Sequence, residues 1–182
     1  MTLKPAPVTY SNLATLYFYL HKYGEAVESY EKAVALGSED QFIIGNLASG
    51  YWFAGDHAKA LKAYDQAIVL ASKELQVNPR DANVMGNLAI YYAEKGDIKN
   101  GQTLIKRARE IADSVDLTYY DAEIQYLAGH KTEAARALKE ALNKGYSLDI
   151  AKADPWLGNA FQEPEFQAIV NAPPTPPTPP SK

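Results

Sequence analysis

The chain has 182 residues, 47% of them hydrophobic, a formal charge of −4 and no cysteine, which excludes disulfides and thiolate metal sites. The acidic balance argues against nucleic acid or an anionic membrane as principal partner. The apolar runs are too short to span a bilayer, and the opening MTLKPAPVTY has one lysine and no apolar signal core, so a cytoplasmic setting is the expectation.

Pro5 and Pro7 predict an extended lead over residues 1–7, with the first helix beginning near Val8 or Thr9. Asn12-Leu13-Ala14, Tyr17, Tyr23, Ala26, Tyr30 and Ala33 then alternate small and large residues at spacings of three and four, the mark of two packed helices. The same order returns 34 residues later in Asn46-Leu47-Ala48, Tyr51, Gly55-Asp56, Ala60, Tyr64 and Ala67. A third copy, from Asn87-Leu88-Ala89 through Tyr92, Gly96-Asp97, Gly101, Ile105 and Ala108, stands at an offset of 41. The seven extra residues are about two helical turns, and ASKELQVNPRD has no breaker before Asn78-Pro79. The second helix of unit two is therefore expected to run on to about Gln76. A fourth copy at an offset of 33 keeps Ala122, Gly129, Ala134, Leu138 and Ala141, but places Asp121 and Gln125 where leucine and tyrosine pack in the others. These units predict helices near 9–21, 24–36, 40–54, 57–76, 81–95, 98–113, 117–128 and 131–144.

Beyond Gly145, Ser147 is a helix N-cap, Asp154-Pro155 a break, and Glu163-Pro164 the start of a last helix through Val170. Tyr146, Leu148, Ile150, Trp156, Leu157, Phe161, Phe166 and Ile169 are expected to cover the open end of unit four. The organisation that follows is a lead (1–7), an array (8–145, units at about 7–40, 41–77, 81–114 and 115–145), a cap (146–171) and a proline-rich disordered tail (172–182). The tail PPTPPTPPSK can form polyproline II; it reads as a ligand for an SH3-like or WW-like groove or as a solvated linker.

The order Leu-Ala, Tyr, Gly, Ala, aromatic, Ala resembles the tetratricopeptide repeat (TPR). His21 departs from it, standing where the unit usually has glycine. The resemblance implies an all-α, right-handed α-solenoid of about four helical hairpins with a C-terminal capping helical segment. Gly145-Tyr146, Asp154-Pro155, Pro164 and Phe166 resemble the closing segment of arrays at the C-terminal end of bacterial signalling proteins, including eukaryotic-like protein kinases, nucleotide cyclases and winged-helix regulators. That likeness implies a fragment of a longer protein.

No nucleophile–base pair, paired carboxylates, metal cluster or phosphate loop is visible, so no enzyme, cofactor or metal is expected. His21, His57 and His130 recur at one turn of separate units and read as surface residues. GNLASGYWFAG lacks a preceding strand and a GK[ST] ending, so it is not a nucleotide loop. What the resemblance implies instead is a concave groove lined by the first helices. The groove positions are Asn12, Phe18 and Tyr19 in unit one, Asn46, Ser49, Trp52 and Phe53 in unit two, and Asn87 and Ile90 in unit three. Ser11 and Thr15 in unit one, Gly45 in unit two, and Gly86 and Glu94 in unit three are groove positions as well. The asparagines can bond the backbone of an extended peptide, or serve the repeat's own structure. The aromatics can anchor a partner, or belong to the core between repeats. The basic residues of a clamp for acidic chaperone peptides are absent from these positions. The expected function is a non-catalytic protein–protein interaction module. The alternatives are self-assembly through an N-terminal face of Tyr10, Leu13, Tyr17 and Leu20, or a substrate-recruiting arm of an enzyme whose catalytic domain lies outside this chain.

Overall fold

The computed structural model describes residues 6–170. Most of the expected extended lead and the whole proline-rich tail lie outside the described residues. Every regular element among those residues is a helix. Helix α1 spans Pro7–Tyr19 and α2 spans Tyr23–Ala35. Then come α3 (Gln41–Phe53), α4 (His57–Val77), α5 (Ala82–Glu94), α6 (Ile98–Ile111), α7 (Val115–Leu127) and α8 (Lys131–Asn143). The C-terminal segment adds α9 (Leu148–Ala153), a 3-10 turn (Ala160–Gln162) and α10 (Pro164–Val170). No described helix is long and apolar enough to cross a membrane.

The ends of these helices follow from their residues. Pro7 starts α1 rather than preceding it, because a proline at the first helical position loses no hydrogen bond. Asp40, Asp56, Asp81, Asp97, Ser114 and Ser147 accept backbone N–H bonds at the N-termini of α3, α4, α5, α6, α7 and α9. The first helix of each hairpin closes on a left-handed residue, glycine at Gly55, Gly96 and Gly129. His21 takes the same place with φ 59°, and the turn is kept: Lys22 N–H bonds the Tyr17 carbonyl at 2.9 Å, as Asp56 N–H bonds Tyr51. Helix α4 has 21 residues and runs without a break past residue 71 to Val77, which is 88% exposed.

Small residues set how closely the helices approach. Ala26 and Ala33, Ala60 and Ala67, Ala108, and Ala134 and Ala141 are fully buried on successive second helices. Tyr30 and Tyr64 fill the space between them. A Cβ at Gly45 would stand 2.2 Å from the Tyr91 ring, and one at Gly86 would stand 2.3 Å from Leu117 Cδ2. Glycine at these two positions lets the first helix of the next hairpin close in. The result is an all-α solenoid in which successive helices from α1 to α8 pack on one another and α10 packs on α8.

Unit four holds where its consensus fails. Asp121 and Gln125 are not in the apolar interior. Arg109 of α6 pairs with Asp121 and, at 2.7 Å, with Glu140 of α8. Gln125 bonds Asp121 at 3.0 Å and accepts from Gln102 at 3.1 Å. The C-terminal segment packs Ala151, Leu157, Ala160 and Phe166 against Tyr119, Ala134 and Leu138. Two of the residues expected on that face are elsewhere. Ile150 is exposed, and Trp156 points back across the concave side of the array to stack on Trp52 of unit two, ring centroids 6.0 Å apart.

Candidate functional site

The concave side is closed by this return of the chain into a cavity of about 430 Å³, within the range of ligand sites. Of the groove positions named from the sequence, Thr15, Phe18, Tyr19, Asn46, Ser49, Asn87, Ile90 and Glu94 line it, and Ser11, Gly45 and Gly86 do not. Asn12 is exposed and stands outside the wall. Trp52 and Phe53 are also outside it, because Trp156 covers them. Phe53 meets Trp156 edge-on at 4.8 Å, while Trp52 also packs on His57 at 4.4 Å. The aromatic contact that a partner's side chain was expected to make is made here by the chain itself.

Depth along the cavity follows from helix register. Its exposed wall residues, Phe42, Asn83 and Asp116, lie in the first turns of α3, α5 and α7, so the mouth is at that end. Asn46 and Asn87 come about one turn further in. Asn46 lies within reach of the Tyr30 hydroxyl, which occupies part of the amide's four-fold bonding capacity. Glu94, the last residue of α5, is about 16 Å from Asn83 along the helix at 1.5 Å per residue.

The inner end is built from carboxylates and hydroxyls. Glu94 is 7% exposed and accepts from Ser49 Oγ at 2.9 Å; Ser49 also bonds the Tyr64 hydroxyl at 3.1 Å. Asp154, 5% exposed, accepts from Tyr119 at 2.7 Å and from the Trp156 backbone N–H at 2.9 Å. Tyr119 is held flat against Tyr146, centroids 4.0 Å apart. Glu123 is 3% exposed, and its Oε1 has no donor among the described residues; nor has Trp156 Nε1 an acceptor. Burial raises all three carboxyls above their ordinary values. Neighbouring carboxylates raise Glu123 further, whereas the Tyr119 and Trp156 bonds hold Asp154 back. Glu94 and Glu123 lie within hydrogen-bonding reach of each other, so the pair holds a proton that an exposed pair would release.

Repeat offsets explain this arrangement. Thr15, Ser49, Ile90 and Glu123 occupy one column of the array. In units one and two the hydroxyl there bonds the tyrosine fifteen residues on, Thr15 to Tyr30 at 2.9 Å and Ser49 to Tyr64. In unit four the corresponding pair is Glu123 and Leu138, which has nothing to donate. Glu94 likewise takes the column of Tyr19 and Phe53, and Tyr120 that of the asparagines. Glu94 is already among the groove positions read from the sequence, and the same column arithmetic could have found Tyr120 and Glu123. Asp154 and Trp156 have no such signal, because they lie outside the repeats.

Comparison with known proteins supports the architecture. Two family models described as tetratricopeptide repeat match, one over residues 7–40 and one over 42–115. No curated protein matches significantly. Among solved structures, a putative kinesin light chain of Podosopora anserina with nearly identical TPR-like repeats is 20% identical, with a TM-score of 0.51. That match covers 92% of this chain and 94% of the other. A thermophilic TPR protein of Thermus thermophilus is 20% identical over 84% of this chain and 99% of its own, with a TM-score of 0.48. On the matched repeats and the hairpins they form, the chain belongs to the tetratricopeptide-repeat family, a scaffold for protein–protein interaction.

Proposed function

We propose that this scaffold is non-catalytic and holds a segment of a protein partner in its concave cavity. Asn46 and Asn87 would bond the partner's backbone, with Phe18, Tyr19, Ser49 and Ile90 around its side chains. The observation that carries this reading is the shared wall: eight positions named from three repeats meet in one cavity of ligand size that opens at Phe42, Asn83 and Asp116. Trp156 covers Trp52 and Phe53, so those two rings would join the site only if Trp156 moved. The resemblance of the closing segment to the ends of bacterial signalling proteins supports a place in a larger cytoplasmic signalling protein.

A peptide library displayed against the chain tests this. Enriched peptides should bind Asn46→Ala and Asn87→Ala more weakly, each by about 0.5–1.5 kcal/mol for one neutral hydrogen bond, with helical content unchanged. Peptides that bind both variants as tightly as the parent would remove the cavity as the site.

Self-association is the second reading, and one observation favours it. Val8, Leu13, Leu16 and Leu20 are 40–64% exposed along α1, an apolar strip of the sort that interfaces use. Tyr10 and Tyr17 of the expected N-terminal face are instead partly buried and packed against the core of unit one. Sedimentation over a hundredfold concentration range would detect the dimer, and Leu16→Lys should abolish it.

A further inference from the structure

We propose that the inner end of the cavity receives the ammonium group of a lysine side chain carried by the segment bound in the groove. This rests on the groove reading above. The wall carries four acidic side chains, Glu94, Asp116, Glu123 and Asp154, and no lysine, arginine or histidine, and an entering ammonium takes the place of the proton that Glu94 and Glu123 share. Charge of one sign gathered inside low-dielectric walls attracts the opposite sign.

The observation that points to a ligand is Glu123. Its side chain is 3% exposed, lines the cavity, and presents an oxygen with no donor. Glu94 and Asp154 are different, since protein donors reach both. A buried acceptor without a donor is a penalty that folded proteins rarely carry, and a ligand N–H would remove it. An alkyl side chain entering here would leave that oxygen unsatisfied; an ammonium brings three donors. Among the described residues no group of three or more carboxylates or histidines is placed to hold a metal ion.

Register favours lysine over a bare ammonium group. Glu123 is three residues deeper than the column of Asn46 and Asn87, about 4.5 Å along the helix axis. A peptide backbone bonded by the two amides would stand one turn above Glu123. Lysine's four-carbon stem reaches about 6 Å and ends in a compact three-donor charge. Tyr19 and Trp156 are in the same wall, and aromatic rings attract a desolvated ammonium.

The test uses the full chain and three probes: the capped peptide Gly-Gly-Lys-Gly-Gly, the same peptide with norleucine for lysine, and cadaverine. The only two tryptophans, Trp52 and Trp156, stack on each other beside the site, so intrinsic fluorescence reports binding and calorimetry checks it. The lysine peptide should bind at least tenfold tighter than the norleucine peptide, and Glu123→Gln should erase that preference. Glu94→Gln should weaken it less, since Ser49 already satisfies Glu94. A Glu123→Gln chain that melts no lower than the parent shows that lost binding is not unfolding. Binding of cadaverine but not of the lysine peptide would overturn the proposal in favour of a free amine. No binding of any probe at millimolar concentration would overturn it outright. Equal binding of lysine and norleucine peptides, lost in Asn46→Ala and Asn87→Ala, would overturn the lysine receptor and leave the groove standing.

Discussion

The buried carboxyls make the stability of this protein depend on pH in a direction opposite to that of ordinary ion-paired acids. Glu94, Glu123 and Asp154 have folded-state pKa values above their ordinary ones, so the folded chain holds protons that the unfolded chain has lost. Stability must then fall as pH rises above the ordinary carboxylate value of about 4.5 towards neutrality. The slope is about 1.4 kcal/mol per pH unit for each extra proton held. One proton shared by Glu94 and Glu123 therefore costs about 2–3 kcal/mol between pH 5 and 7. Surface acids with lowered values, such as Asp56 and Glu140, act below that window and do not mask it. Glu123→Gln removes one titrating group and gives Glu94 an amide donor. It should flatten the slope and raise stability at pH 7.5 by about 1–3 kcal/mol, the part of the titration cost that the neutral side chain no longer incurs. Urea unfolding followed by far-UV circular dichroism at half-unit steps from pH 5 to 8 measures both quantities. Stability that is flat or rising with pH in the parent would refute the placement of these carboxyls in a shared, poorly solvated interior.

Gly45→Ala should destabilise by about 1–3 kcal/mol, because the new Cβ would meet the buried Tyr91 ring at 2.2 Å and overpacking of that order cannot relax freely; urea midpoints decide it. His21→Gly should stabilise by up to about 1 kcal/mol, since it relieves a positive φ in a side-chain-bearing residue, and an unchanged or lower melting temperature would count against strain at that turn. Trp156→Ala should leave helical content in place while raising the exposure of Trp52 and Phe53. A red shift of Trp52 emission with a stability loss of about 1–3 kcal/mol, less than a fully buried tryptophan would cost, is the expected pair of readings.

Most of the array was legible because its signal is local. Alanine and tyrosine at spacings of three and four gave the hairpins, and seven surplus residues gave the long α4. Eight of the fourteen groove positions line the cavity for the same reason: each sits at a fixed place in its unit, and stacking brings like places together. Asn12 is not a wall residue because α1 enters the wall only from Thr15 onward. Trp156 was illegible for a different reason. Its place depends on rotations accumulated over four units, and no window of sequence records their sum. Asp154 looked like a break before proline, yet its carboxylate is where the closing segment ties itself to Tyr119.

The closing segment therefore couples two things that the repeats keep apart. Leu157 and Phe166 cover the apolar face of unit four, while Asp154 and Trp156, within three residues of Leu157, complete the cavity. A change that loosens the cap would loosen the wall as well. The cavity is also where the chain gives up stability: a solenoid could have continued the hydroxyl pairs of units one and two into unit four, as Thr15 with Tyr30 and Ser49 with Tyr64. It carries Glu123 opposite Leu138 instead. A buried acid that weakens the fold at neutral pH is the kind of local inconsistency found at functional sites, and here it stands at the inner end of the groove that the repeats converge on.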